Sequence, residues 1–170
     1  MIVAVIEVYT DGACSRNPGP GGWAWAVAPD GMPRGSGGDP HSTNQRMEIR
    51  AVLEAMRSLN AELVIVSDST YVVNCINKKW YATWQRNGWR NSQRQAVANQ
   101  DLWKPLIDLY DPRKHTFRWV KGHSGNRMND LVDQLAVLAS KGPFPPSPPR
   151  PAEPGHEPGH EPGPDATTLF

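Results

Sequence analysis

Leu63-Val64-Ile65-Val66-Ser67-Asp68-Ser69 decides the fold. Four consecutive apolar residues between polar neighbours are what a strand buried on both faces requires, and such strands belong to sheets covered by helices. The flanking sequence supplies those helices. Upstream, Ile49, Val52, Leu53, Met56 and Leu59 form one apolar stripe at helical spacing. That helix starts at Thr43 or Asn44, both good N-caps. Downstream, Asp68 or Ser69 is placed to cap a short helix through Ile76. Lys78 to Gly88 and Asn99 to Tyr110 read as two more helices, stopped by Gly88 and by Asp111-Pro112.

Val3 to Tyr9 reads as a second central strand, ending at Thr10-Asp11-Gly12. Asn17-Pro18-Gly19-Pro20-Gly21-Gly22 is then expected to be an irregular turn. Trp23 to Val27 alternates large and small side chains as a strand, Asp30-Gly31 signals a hairpin, and a weak third strand falls within Arg34 to Gly38. His115 to Val120 is a further strand. Met128, Leu131, Val132, Leu135, Ala136 and Ala139 mark a last amphipathic helix, with Gly142-Pro143 as its stop. The order β-β-β-α-β-α-α-α-β-α predicts an α/β fold: a mixed sheet of five strands with helices on both faces.

The charge distribution divides the chain. Residues 1–141 carry 17 bases and 13 acids, whereas residues 142–170 carry only Arg150 against Glu153, Glu157, Glu161 and Asp165. Ten of the 17 prolines also lie in that last segment, which includes a short Pro-Gly-His-Glu repeat. The expectation is therefore a folded domain over 1–141 and a disordered acidic tail over 142–170 that carries no chemistry. No apolar run approaches the ~20 residues of a membrane span. Cys14 and Cys75 alone make no disulfide framework, which favours a reducing, cytoplasmic setting.

Asp11 and Asp68 stand at the ends of predicted strands, Glu48 is in the first turns of a helix, and Asp133 is in the last helix. Strand ends of an open α/β sheet border the usual site crevice. Each acid alone could be a turn residue, a cap or a solvated charge. Convergence of all four would raise their proton affinities and call for a hard divalent cation, Mg²⁺ or Mn²⁺ in preference to zinc.

Six motifs stand in order: Tyr9-Thr10-Asp11-Gly12-Ala13-Cys14, Asn17 to Gly22, Thr43-Asn44-Gln45-Arg46-Met47-Glu48, Ser67 to Val72, Trp119 to Gly125, and Asn129-Asp130 with Asp133. Together they make residues 2–141 resemble type 1 ribonuclease H, close to the bacterial enzymes. The resemblance implies the ribonuclease H-like fold. It implies an endonuclease that hydrolyses the RNA strand of RNA–DNA hybrids, leaving 5′-phosphate and 3′-hydroxyl ends. Asp11, Glu48, Asp68 and Asp133 match the carboxylates that hold two Mg²⁺ ions, with Mn²⁺ as a possible substitute and Asp11 as the bridge. Two such ions ~4 Å apart can hold an attacking water and the leaving oxygen in line. His123, between Gly122 and Gly125, matches a loop histidine that assists proton transfer or product release.

The same resemblance assigns substrate contacts. Cys14, Asn17, Asn44 and Gln45 match positions reading the minor groove and the RNA 2′-hydroxyls. Thr43 and Asn99 match a pocket for a DNA phosphate, and both also suit helix capping. Thr70 departs from the glutamine of many bacterial members and is too short for the same contact. Lys78, Lys79, Arg86, Arg90, Arg94 and Lys104 stand among Trp80, Trp84, Trp89 and Trp103 and resemble the basic protrusion that grips the DNA strand. Trp80 is the candidate sugar contact; Trp84 and Trp103 are expected in the core. The extra hybrid-binding module of many eukaryotic relatives is not expected, so neither is processive binding. A monomer is expected. The final Leu169-Phe170 faintly resembles peptides that bind the replication clamp.

Two other readings compete. DNA endonucleases of the same superfamily generally lack the glycine-rich groove loop and the protrusion. A catalytically silent hybrid-binding module would be expected to lack a carboxylate, and all four are present.

Overall fold

A computed structural model describes residues 3–145. The acidic segment from 146 onward, including Leu169-Phe170, lies outside the described residues. The elements are β1 (Val5–Cys14), β2 (Gly19–Val27), β3 (Arg34–Ser42), α1 (Asn44–Ser58), β4 (Glu62–Ser67), α2 (Thr70–Asn77), α3 (Trp80–Arg86), α4 (Gln100–Leu109), β5 (His115–Trp119) and α5 (Arg127–Ala139). The order is the expected one. The five strands form one sheet, β3-β2-β1-β4-β5, antiparallel across β3-β2-β1 and parallel across β1-β4-β5.

Side-chain alternation explains the two layers. Val8, Trp25, Leu63, Ile65 and Phe117 face a core completed by α1, α2 and α4. Tyr9, Ala24, Ala26 and Val66 face the other side, where α5 covers them with Met128, Val132 and Ala136. No helix among the described residues is long and apolar enough to cross a membrane.

Four boundaries differ most from expectation. β1 does not stop at Thr10-Asp11-Gly12 but runs on to Cys14, and Gly19 to Gly22 are strand residues, with Gly21 paired to Cys14 and Gly22 to Ala13. The glycines are there because helices press on the strands, not because the chain turns. A Cβ on Gly12 would lie 2.3 Å from the backbone nitrogen of Glu48, and one on Gly22 would lie 2.1 Å from the carbonyl oxygen of Ala136. β3 also continues past Gly38 to Ser42. Trp25 and Trp23 lie across their partners Gly35 and Gly37, covering backbone that glycine leaves bare. Pro40 is tolerated because β3 is an edge strand. The helix expected from Lys78 is shorter, because Lys79 takes a left-handed conformation at φ 56° and α3 begins after it.

Phe144 is half-buried, and its ring lies 2.8 Å from where a Gly38 Cβ would stand, so packing continues beyond residue 141.

Gly12→Ala must move backbone, since the obstructing atoms belong to the main chain of Met47 and Glu48. We expect a loss of ~3 kcal/mol or more, above the usual range for one extra methyl in a core. Urea denaturation of the variant in EDTA measures it, and a loss below ~1 kcal/mol would show that α1 can move away at little cost.

Candidate active site and nucleic-acid interface

Parallel pairing of β1 with β4 sets Thr10 beside Ser67, so the next residues, Asp11 and Asp68, emerge side by side. Glu48 enters from α1, whose start rests on Gly12. Thr43 fixes that start: its hydroxyl oxygen accepts from the Arg46 N–H at 3.2 Å. One carboxylate oxygen from each of Asp11, Glu48 and Asp68 lies within 4.8 Å of the others. Asp133, on α5, stands outside this trio, half-buried, yet close enough to raise the proton affinity of Asp11.

No described ion pair involves any of the four carboxylates. Burial, then the neighbouring Asp68 charge, pushes Asp11 up to about 7. The Gly12 N–H donates to Asp11 Oδ1 at 2.8 Å and opposes that rise only in part. Glu48 is driven well above the usual carboxylate range, by burial first and by Asp11 second. Glu48 Oε2 is sealed from solvent and has no hydrogen-bond partner. A buried acceptor left unpaired costs ~1–3 kcal/mol. Oxygen-only donors, crowded without a basic partner and with a spare buried oxygen, are the donor set of a hard divalent cation. The arrangement fits such an ion.

His123 is exposed, in a turn where the Ser124 hydroxyl donates to the Lys121 carbonyl at 2.7 Å. It stands outside the carboxylate trio, but the turn is beside it: a Cβ on Gly122 would lie 2.7 Å from Asp68 Oδ2.

The proposed groove-reading residues converge at the β1–β2 turn and the start of α1. The Cys14 thiol donates to the carbonyls of Gly19 at 3.3 Å and of Ser42 at 3.5 Å. The Asn44 N–H donates to Asn17 Oδ1 at 3.4 Å. Asn17, Asn44 and Gln45 are exposed there. Asn99 is at the start of α4 with φ 64° and, unlike Thr43, makes no side-chain cap. Its Oδ1 instead accepts from Arg46 Nη1 at 3.3 Å, which leaves its amide N–H groups for another partner.

Lys78, Lys79, Arg86, Arg90, Arg94 and Lys104 are all exposed, and none takes part in a described ion pair. Asp101, the acid of this stretch, is bound by Arg46 through contacts of 2.9 and 2.6 Å. The positive charge is therefore uncompensated. The tryptophans root it in the core. Trp103 is fully buried and its Nε1–H donates to the Tyr71 hydroxyl at 3.0 Å. Trp84 packs between Trp103 and Trp89, with ring centroids 5.8 Å from each. Trp80 is half-buried, 6.4 Å from the Tyr71 ring.

Two residues carry more than their sequence suggested. Arg46 joins α1 to α4, a role that its place in the Thr43 to Glu48 motif does not reveal. Asn129, buried in α5, donates through Nδ2 to Asp68 Oδ2 at 3.3 Å. A cavity of about 950 Å³ opens at the other end of the molecule, lined by Leu59, Tyr110 and His115, and holds none of these groups.

Comparison with known proteins gives a consistent result. The model of the RNase H family matches residues 4–141. The chain is 49% identical over 140 residues to Ribonuclease H of Syntrophomonas wolfei, covering 80% of this chain and 96% of that protein. It is also 49% identical over 138 residues to Ribonuclease H of Symbiobacterium thermophilum, covering 79% and 93%. Among solved structures it is similar to LC9-RNase H1, a type 1 RNase H, with a TM-score of 0.70, 28% identity and coverage of 83% and 74%. The stretch that matches is the stretch that builds the sheet and gathers the carboxylates, and the chain belongs to the RNase H family of ribonucleases.

Proposed function

We propose that this protein hydrolyses the RNA strand of RNA–DNA hybrids with two divalent cations, Mg²⁺ or in its place Mn²⁺, leaving 5′-phosphate and 3′-hydroxyl ends. The observation that carries this is the trio of Asp11, Glu48 and Asp68, crowded without a basic partner and with a buried oxygen unpaired. Asp11, Glu48, Asp68 and Asp133 would hold the ions, with Asp11 the most enclosed of the strand-end acids. When bound, the cations supply Lewis acidity at the scissile phosphate and a water of lowered pKa.

The chain's own residues do the rest. Asp11 and Asp68 anchor the site to two paired strands, so neither can move without the sheet. His123, exposed on its turn, receives or delivers a proton and then yields to solvent. Cys14, Asn17, Asn44 and Gln45 line the approach to the ribose 2′-hydroxyls, the groups that distinguish RNA from DNA. Thr43 and Asn99 accept a DNA-strand phosphate, and the basic protrusion with Trp80 holds that strand. Thr70 leaves room where a longer side chain would reach the groove. The protein acts as a cytoplasmic monomer in this reading. Incubation with labelled RNA–DNA, RNA–RNA and DNA–DNA duplexes, with Mg²⁺ or with EDTA, tests it directly: only the hybrid should be cut, only in its RNA strand, and only with metal.

Asp11→Asn is expected to abolish cleavage while leaving hybrid binding largely intact. It should also stabilise the metal-free protein. The folded-state pKa of Asp11 is raised to about 7, so folding binds a proton. Stability of the wild type in EDTA therefore falls as pH rises from ~4, the unfolded value, towards 7. Melting curves should show the variant more stable at pH 8 and the two proteins converging near pH 4. Equal melting temperatures at pH 8 would remove the electrostatic account.

Neutralising Lys78, Lys79, Arg86 and Arg90 together should weaken hybrid binding and flatten the plot of log K against log salt, by ~0.7–0.9 for each phosphate that is no longer neutralised. An unchanged slope would place those charges away from the nucleic acid.

His123→Ala should slow single turnover by ~10–100-fold with little change in KM, a barrier increase of ~1.4–2.7 kcal/mol. Asp11→Asn should be far slower. If the two variants are equally inactive at saturating Mg²⁺, the histidine is indispensable to the chemical step and metals and histidine do not divide the work in this way.

A further inference from the structure

Asp68 is held from three directions by groups that the metal chemistry leaves without a task. The Trp119 Nε1–H donates to its backbone carbonyl at 3.0 Å. Gly122 is so near that a Cβ there would lie 2.7 Å from Asp68 Oδ2. Asn129 donates through Nδ2 to that same oxygen at 3.3 Å.

Asn129 stands out because it is a poor structural residue where it is. Its side chain is buried at 2% exposure, makes this one hydrogen bond, and leaves its own Oδ1 without a partner. Sealing a polar amide away half-satisfied works against stability. The α5 cap does not use it either: Asn126 Oδ1 accepts from the Asn129 main-chain N–H at 3.0 Å. A carboxylate's terminal torsion is broad and roughly two-fold, so Asp68 needs an outside group to choose its plane. Gly122 allows the close approach but donates nothing to the carboxylate, and Trp119 fixes only the main chain. Asn129 is the side chain that orients the carboxylate itself.

We propose that Asn129 is a positioning residue that sets the plane of the Asp68 carboxylate towards Asp11 and Glu48 before any cation arrives. The inference rests on the reading of Asp68 as a metal ligand. Groups that orient a ligand typically change metal affinity or activity by 10–100-fold when removed.

The test compares Asn129→Ala with Asn129→Ser, which keeps a hydroxyl donor. Three quantities are measured: Mg²⁺ binding to the nucleic-acid-free protein by calorimetry, melting temperature in EDTA, and kcat with KM on a short hybrid. The alanine variant should melt within ~2 °C of the wild type or above it, bind Mg²⁺ about 10-fold more weakly, and lose about 10-fold in kcat with KM within about twofold. Serine should recover part of both losses. Unchanged Mg²⁺ affinity and kcat in the alanine variant overturn the proposal. So does a loss in which alanine and serine are equally affected and the melting temperature falls in step, since that is the signature of a packing role. Should the alanine variant not fold, serine is compared with the non-donating Asn129→Val: Mg²⁺ affinity kept within about threefold by serine and lost about 10-fold by valine supports positioning, and wild-type-like affinity and kcat in both oppose it. A wild type that binds Mg²⁺ but cuts no hybrid overturns the substrate reading while leaving the calorimetric comparison to decide Asn129.

Discussion

A methyl group cannot be accommodated at residue 12. The backbone of Met47 and Glu48 already occupies that space, with the Glu48 nitrogen 2.3 Å from an ideal Cβ position. The meeting of Asp11 and Glu48 follows from that contact. It brings the first turns of α1 onto the C-terminal part of β1, and it drives the Glu48 carboxylate, its Oε2 sealed from solvent, against Asp11. Parallel pairing with β4 then adds Asp68 from the other side. The sheet and helix are held together by apolar packing on both faces, and that packing offsets the repulsion it creates. The acids are thus kept in a state they would leave if the chain allowed it, which is what preorganisation for a cation means in physical terms.

The separate parts of the molecule divide this work. The trio is anchored on strands and the first helix turns, where backbone hydrogen bonds resist displacement. His123 is placed on an exposed turn beside Asp68, outside the packed sheet and helix. The basic protrusion has little packing of its own: α3 contains no fully buried residue. It is attached through the rings of Trp89, Trp84 and Trp103, which carry it down to a fully enclosed indole. Tryptophans interleaved with bases therefore serve first as anchorage, and in the proposed reading Trp80 is the one that meets a sugar.

The element order and both layers were legible because apolar periodicity is a local signal, and α1, β4 and α5 each display it in full. The glycine-rich stretches were misread at their boundaries for the opposite reason. Gly12, Gly21 and Gly22 look like turn residues in isolation, and only the neighbouring helices show that they are strand residues under close contact. The same limit applies to the site. Asp11, Glu48 and Asp68 could be singled out from their places at the ends of elements and from the family motifs. Asn99 resembled a cap, yet its carbonyl is taken by Arg46, fifty-three residues earlier in the chain. Asn129 stands in a family motif, but its role is not legible there, since a buried amide donating to a distant aspartate is visible only once both are in place.

The link from Arg46 to Asp101 and Asn99 has a further consequence. Arg46 lies two residues before Glu48, so the same helical turn that brings an acid to the carboxylate trio also grips the start of α4. The distance from the carboxylates to the Thr43–Asn99 pair is therefore set by a rigid strut and not by a loop. In the proposed reading a duplex would meet the carboxylates and the Thr43–Asn99 pair at a spacing fixed by this strut, and lengthening the strut would put one of the two contacts out of register.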